Sequence, residues 1–304
     1  MKKTTLTLLT LLALGLASSA SAAELFWQGP RDGSTLWTTG TGDTNETWAT
    51  TSSGSVYQNW ADGDTASLHG GAGFIELGSD ISASKVLFNF FGTPFDFNLG
   101  GFNLTLDGSG NNVQYNTDSG TFLNGTLVFG SANQFSIGNG ASNSGITLAL
   151  NTAISGGTFA LTKVGSATLS LGAANVFGDT FINEGTLLVQ SGSSLGSGNI
   201  TLNNTSSALT LESATAIADD ATLTLSNSSN ILNLDFVGTE AVGFMNILTN
   251  SVDAGTYTAT ELNDLGFGGS FSGTGSIQVI PEPSSIVLVT LGLLGIIGLR
   301  NKNR

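Results

Sequence analysis

Residue types that carry enzyme chemistry are scarce in this chain, so each one can be weighed singly. The 304 residues include one His and no Cys. His69, in Ser67-Leu68-His69-Gly70-Gly71, would have to be the sole imidazole base, with a nucleophile within hydrogen-bond reach. The segment Gly192-Ser193-Ser194-Leu195-Gly196 fits the letters of a nucleophile elbow, which sets its Ser on a sharp strand-to-helix turn. Here it stands between two strand-like runs, and no helical pattern follows. His69 is therefore expected to be a turn residue. No thiolate nucleophile and no Cys/His zinc cluster can be assembled, so no catalytic and no metal-ligating residue is assigned.

Carboxylate pairs are the remaining chemistry, because some solenoid enzymes cut polysaccharides with two acids. The candidates are Asp62/Asp64 and Asp219/Asp220. Both pairs sit in Gly- or Ala-flanked turns, where Asp readily bonds neighbouring backbone. Acid-rich turns also suit Ca²⁺, which takes oxygen ligands from loops. The tandem Gly-Gly-x-Gly-x-Asp signature of calcium solenoids is missing, since Gly70-Gly71-Ala72-Gly73 runs into Phe74-Ile75-Glu76 and does not recur. No cofactor is expected.

The charge distribution narrows the partners. Of eight basic residues, Lys2 and Lys3 lie at the start, and Arg300, Lys302 and Arg304 at the end. Arg31, Lys85 and Lys163 remain between them, against 21 of the 22 acids, a net charge of −18. Phosphate binding needs clustered Lys and Arg, so nucleic acid is excluded as a partner. Lyases acting on acidic polysaccharide also need a base to neutralise the substrate carboxylate, and three scattered bases do not supply it.

The two ends read as targeting segments. Lys2 and Lys3 precede an apolar run from Leu6 to Leu16, then Ala20-Ser21-Ala22, a small-x-small site for cleavage before Ala23. The apolar run is shorter than the roughly 20 residues of a spanning helix, so residues 1–22 are expected to be a signal peptide, removed by signal peptidase after general secretion. At the other end, Ile280-Pro281-Glu282-Pro283-Ser284-Ser285 resists both helix and sheet. An apolar segment, 286–299, and the basic Arg300, Lys302 and Arg304 follow. A helix from Ser284 to Leu299 would be about 24 Å long at 1.5 Å per residue, a marginal span suited to transient insertion. The basic cluster would stay on the cytoplasmic side and hold the body outside.

The order Pro-Glu-Pro, apolar helix, basic terminus closely resembles the PEP-CTERM sorting signal. The resemblance implies recognition of Pro281, Glu282 and Pro283 by an exosortase-type membrane processing enzyme. It also implies a host that exports polysaccharide.

The elements between the ends read as short strands. Ile146–Leu150, Ala167–Leu171, Thr186–Val189, Ala208–Leu211 and Ala221–Leu225 alternate aliphatic with small or polar residues, the period of a strand with one buried face. Thr suits the exposed face because its branched Cβ fits a pleated surface. With 42 Gly and 4 Pro, such runs joined by tight turns predict an all-β chain. Without Cys, its stability has to come from a long continuous core. The stretch from Gly157 to Val189 contains Leu161-Thr162-Lys163-Val164-Gly165, Thr168-Leu169-Ser170-Leu171, Asn175-Val176-Phe177-Gly178 and Gly185-Thr186-Leu187-Leu188-Val189. It resembles the autotransporter-associated β-strand repeat. Ala167 and Asp179 depart from that pattern, at turns or turn edges. The resemblance implies a right-handed parallel β-helix. Phe159, Leu161, Leu169, Leu171, Ile182, Leu187 and Val189 would then point inward. Gly165, Gly178 and Gly185 would turn corners at positive φ.

Residues 23–135 are expected to begin the same solenoid. Trp27, Trp37, Trp48 and Trp60 all fall there. Asn59-Trp60-Ala61-Asp62-Gly63-Asp64, Gly78-Ser79-Asp80-Ile81 and Phe102-Asn103-Leu104-Thr105-Leu106 resemble, more loosely, the opening region of such repeat proteins. The Trp cluster is expected to cap the open end of the solenoid, the alternative being a carbohydrate platform. The organisation is thus a signal peptide (1–22), a capping and solenoid region (23–135), a β-helix (136–280) with the repeat at about 157–189, and a sorting signal (281–304).

These readings converge on an exported, non-enzymatic protein of the cell surface or extracellular matrix, structural or adhesive in a polysaccharide matrix or biofilm. The alternative is a β-helix protein that binds or degrades polysaccharide. A self-exported passenger is excluded as a complete system, because a membrane β-barrel would be needed where the apolar segment and basic tail stand.

Overall fold

The computed structural model describes residues 22–280, apart from 28–35, 39–47, 55–56, 69–73, 89–94, 116–119 and 139–144. Ala20 in the leader, His69, Pro281, Glu282, Pro283, the apolar segment 286–299, Arg300, Lys302 and Arg304 lie outside the described residues.

Strands of mostly three to five residues bury every second side chain. Thr147–Leu150 buries Leu148 and Leu150, Thr168–Leu171 buries Leu169 and Leu171, and Thr222–Leu225 buries Leu223 and Leu225. One stripe of aliphatics per strand cannot form a core alone, so strands stack in parallel and their stripes merge. Leu148, Leu169, Leu187, Leu209 and Leu232 stand in register across five successive strands. Each fully buried Leu contributes about 1.5–3 kcal/mol relative to exposure. The result is all-β with parallel sheets, a β-helix-like solenoid. The one helix among the described residues is the six-residue Ala259–Asp264, and none there is long and apolar enough to cross a membrane.

Successive coils each add a strand to a 13-stranded sheet and to a 10-stranded sheet facing it across the core. Ile81–Ala83, Asn103–Leu106, Thr126–Phe129 and Ala153–Ser155 form a third, four-stranded parallel sheet. Among the described residues the strands pair antiparallel only near the ends. Trp48–Ala49 pairs antiparallel with Glu24–Trp27 and with Tyr57–Gln58, finishing the long sheet at one side. Asn250–Ser251 folds back on Phe244–Ile247 at the other. Gly255–Thr258 runs antiparallel to Ser276–Val279 in a separate three-stranded sheet. Two-residue strands leave little exposed edge for another chain to extend.

Inward residues of the repeat are placed as expected except Phe159. Leu161, Leu169, Leu171, Ile182, Leu187 and Val189 are buried, whereas Phe159 is 42% exposed. It precedes its strand, which begins at Leu161, so the alternation that fixes the strand does not reach it. Two of the three corner glycines have the expected backbone, Gly165 at φ 82° and Gly185 at φ 69°. Gly178 is not among the positive-φ glycines. It is required for a different reason, because a Cβ there would run into the carbonyl of Thr158.

Candidate functional site

Several acids at the turns, Asp62, Asp64, Asp80 and Asp179, bond one coil to the next. An amide at or beside the start of a solenoid strand can point at the neighbouring coil, where a corner carboxylate or carboxamide accepts from it. Asp62 Oδ1 accepts from Ser82 N at 2.9 Å and from Trp60 Nε1 at 3.3 Å. Asp80 Oδ1 accepts from Asn103 N at 2.8 Å. Asp179 Oδ1 accepts from Asn199 N at 2.8 Å, and Asn199 Oδ1 in turn accepts from Thr222 N at 2.8 Å. Asp179, one of the two departures from the repeat pattern, is thus a coil-to-coil fastener. Side chains continue the ladder, with Asn203 donating to Asn183 at 2.7 Å and Asn98 to Glu76 at 2.9 Å.

Asp64 holds Ala23, just before the first strand. Its Oδ1 accepts from Ala23 N at 2.8 Å, while Thr65 N donates to the Ala23 carbonyl at 2.8 Å. Asp62 and Asp64, one of the two candidate acid pairs, are therefore each committed to holding backbone. Asp219 and Asp220 form no such pair of fasteners; Asp219 acts on Glu240 through its charge.

Two buried charged side chains were not singled out by sequence reasoning. Glu240 is fully buried, and its carboxylate accepts from Ala216 N at 2.9 Å and Ile217 N at 2.8 Å. Burial raises its pKa to about 7, against the pull of the Ile217 and Ala216 amides, with Asp219 adding to the rise. Lys163 is also fully buried. Its Nζ donates to the carbonyls of Val164 at 2.9 Å, Gly165 at 2.7 Å and Glu184 at 3.1 Å, matching an ammonium's three donors. Burial pushes it down to about 7, opposed by Glu184. In the sequence the position stood only as one of three scattered bases and as the Lys of the repeat motif.

The Gly192–Gly196 segment is a turn between Gly185–Val189 and Ile200–Leu202 with no helix after it. Ser194 Oγ accepts from Asn175 N at 3.4 Å, and Leu195 N donates to Ala216 O at 2.7 Å. A depression of about 240 Å³ lies beside it, lined by Asn175, Ser197, Thr215 and Ala216 among others. Asn175 is spent on the carbonyls of Ala173 and Ser194 and on Ile154 N, and the Ala216 amide on Glu240. Among the described residues no three His, Cys, Asp or Glu side chains stand together as a metal site would need.

The four indoles form one buried cluster. Trp37 lies 4.9 Å from Trp48 and 4.7 Å from Trp60, centroid to centroid, and Trp27 lies 5.2 Å from Trp48. All four are at most 4% exposed. Their faces are turned to one another and to Phe97, so they offer no stacking surface to a sugar.

At the far end the backbone is tied down one residue past the last strand, Ser276–Val279, with Ile280 N donating to Val242 O at 2.9 Å. Pro281 follows at once. Residues 279–304 match the PEP-CTERM protein-sorting motif. The chain is also similar to the adhesin BmaC autotransporter of Brucella suis biovar 1 (strain 1330), 26% identical over 306 residues. The alignment takes in 94% of this chain and 8% of that adhesin, so the chain spans a small part of the curated relative's length. No solved structure matches. A PEP-CTERM sorting motif directly behind a β-helix-like body marks this chain as an exported protein of the cell surface.

Proposed function

We propose that this chain is a non-enzymatic structural or adhesive protein of the cell surface or extracellular matrix, working within exported polysaccharide or a biofilm. The observation that carries the reading is the sorting motif at 279–304, which begins within the last strand of the body. In this reading signal peptidase cuts between Ala22 and Ala23 after general secretion. Residues 286–299 then insert transiently, held by Arg300, Lys302 and Arg304, and an exosortase-type enzyme recognises Pro281, Glu282 and Pro283. The body is a right-handed parallel β-helix of the autotransporter-associated type, with the Trp cluster closing its first coil. Similarity to an adhesin supports the adhesive role. The engagement of Asp62, Asp64 and Asp179 in backbone hydrogen bonds supports a scaffold over a catalyst.

The test follows the tail. Mass spectrometry of the surface fraction is expected to find mature protein without 286–304. Changing Pro281, Glu282 and Pro283 to Ala is expected to leave an unprocessed, membrane-held form. Native surface material with intact peptides through Arg304 would show a plain anchor instead. Turnover of polysaccharide by the purified body, lost on changing Asp62 and Asp64 to Asn, would replace the scaffold reading with an enzyme.

A further inference from the structure

The leader is expected to be cut before Ala23, and the nitrogen that cleavage would free already has a partner. Ala23 N lies 2.8 Å from Asp64 Oδ1. In the precursor that nitrogen is a peptide amide with one hydrogen and no charge. Cleavage of the Ala22–Ala23 bond by water gives Ala22 a carboxylate and turns the Ala23 nitrogen into an α-amine, protonated at neutral pH because its ordinary pKa is about 7.7–8.0. We infer that Asp64 is the counter-ion of the mature amino terminus, so that processing converts a neutral hydrogen bond into an ion pair that fastens the first strand of the solenoid. The inference rests on the proposed cleavage before Ala23.

The geometry around the pair supports a seat rather than a chance contact. Ala23 is bound on both sides, its nitrogen to Asp64 and its carbonyl to Thr65 N. The strand that follows, Glu24–Trp27, lies parallel to Thr65–Leu68 with Glu24 opposite Thr65. Asp64 is itself held, its N donating to Ala61 O and its O accepting from Ser84 N at 2.9 Å. An aligned acceptor on a fixed backbone loses little entropy on pairing. Among the described residues the charges on the adjoining strands are Glu24, next in the chain, and Lys85, opposite Thr65 on the following coil. Asp62 is engaged with Ser82 and Trp60. Glu24 and Asp64 favour the ammonium, and Lys85 opposes it from two strands away.

The strand so fastened carries Trp27, which packs on Trp48. The ion pair therefore steadies the cluster that closes this end. Its sign is fixed by linkage: an amine whose folded pKa is raised adds stability that is complete below its unfolded value and lost as pH rises through the folded one.

The experiment uses protein exported and processed in a Gram-negative host. Intact-mass and N-terminal peptide analysis reads the first residue, and NMR or pH-dependent amine labelling reads the α-amine pKa. The expected result is Ala23 as first residue with a pKa raised by about 0.5–1 unit, the size of a well-placed exposed ion pair. Asp64→Asn, which keeps the shape and an acceptor oxygen, is expected to return it to the ordinary range. Asp62→Asn removes an equal charge two residues away and is expected to leave most of the rise. Ala23 as first residue with an ordinary pKa, or a rise untouched by Asp64→Asn, overturns the ion pair and leaves the cleavage reading standing. A different first residue overturns both.

Discussion

Replacing Glu240 with Gln removes a buried charge while leaving the side chain's size unchanged. The carboxyl group is fully buried, and its pKa lies at about 7 against an ordinary 4.5. The folded state thus holds a proton that the unfolded chain gives up more easily. Stability from this group is complete below about pH 4.5 and is lost as pH rises through 7. Integrating the linkage relation between those two values gives a loss of about 2.5 kcal/mol from pH 5 to pH 8. Lys163 contributes with the opposite sign, since its folded pKa of about 7 lies below 10.5, and that contribution is the same in wild type and variant. Urea unfolding of the mature protein, followed by far-UV circular dichroism at pH 5 and pH 8, isolates the Glu240 part as a difference of differences. Glu240→Gln has one oxygen to accept from Ala216 or Ile217 and an NH₂ facing the other amide, so it is expected to be clearly destabilised at pH 5. At pH 8 the wild type has lost its advantage, and the gap should shrink by about 2.5 kcal/mol. A gap equal at both pH values to within about 0.5 kcal/mol would show that Glu240 does not titrate between them, and the burial argument would fall.

Lys163→Met leaves the carbonyls of Val164, Gly165 and Glu184 without their donor. It should cost about 2–4 kcal/mol at pH 6, since each buried orphan costs about 1–3 kcal/mol and loss of the buried charge returns part of that. The same variant should abolish the part of the rise in stability between pH 7 and pH 10 that Lys163 causes, which urea titration at both values reads. Trp37→Ala opens a cavity between Trp48, Trp60 and Phe97 and should cost about 3–5 kcal/mol, with loss of near-ultraviolet dichroism from the indole cluster. Asp179→Ala removes the acceptor for Asn199 N and should cost about 1 kcal/mol in thermal unfolding, whereas Asp179→Asn should be nearly neutral, because the bond needs the oxygen more than the charge.

Strands were legible because alternation is a local property. Thr168–Leu171 and Thr222–Leu225 need no distant residue to say which side chains face inward. The sorting motif was legible for the same reason, as three features in order along one segment. Phe159 was misplaced because it stands just before its strand, where the alternation no longer applies. Gly178 was right in identity and wrong in cause: a glycine can be required by its own φ or by a neighbour's carbonyl, and the letter is the same.

What the sequence by itself determined is the all-β body, the phase of its strands, the absence of a basic surface and the sorting segment. What only the tertiary structure decided is the work of the polar residues. Asp179 meets Asn199 across 20 residues, Lys163 meets Glu184 across 21, and Glu240 meets Ile217 across 23. Those separations vary because the corners between strands vary in length, so no fixed spacing in the chain announces which acid faces which amide. A buried Lys and a buried Glu look like surface charges in a sequence until the stacking of coils closes over them and supplies the backbone groups they bind.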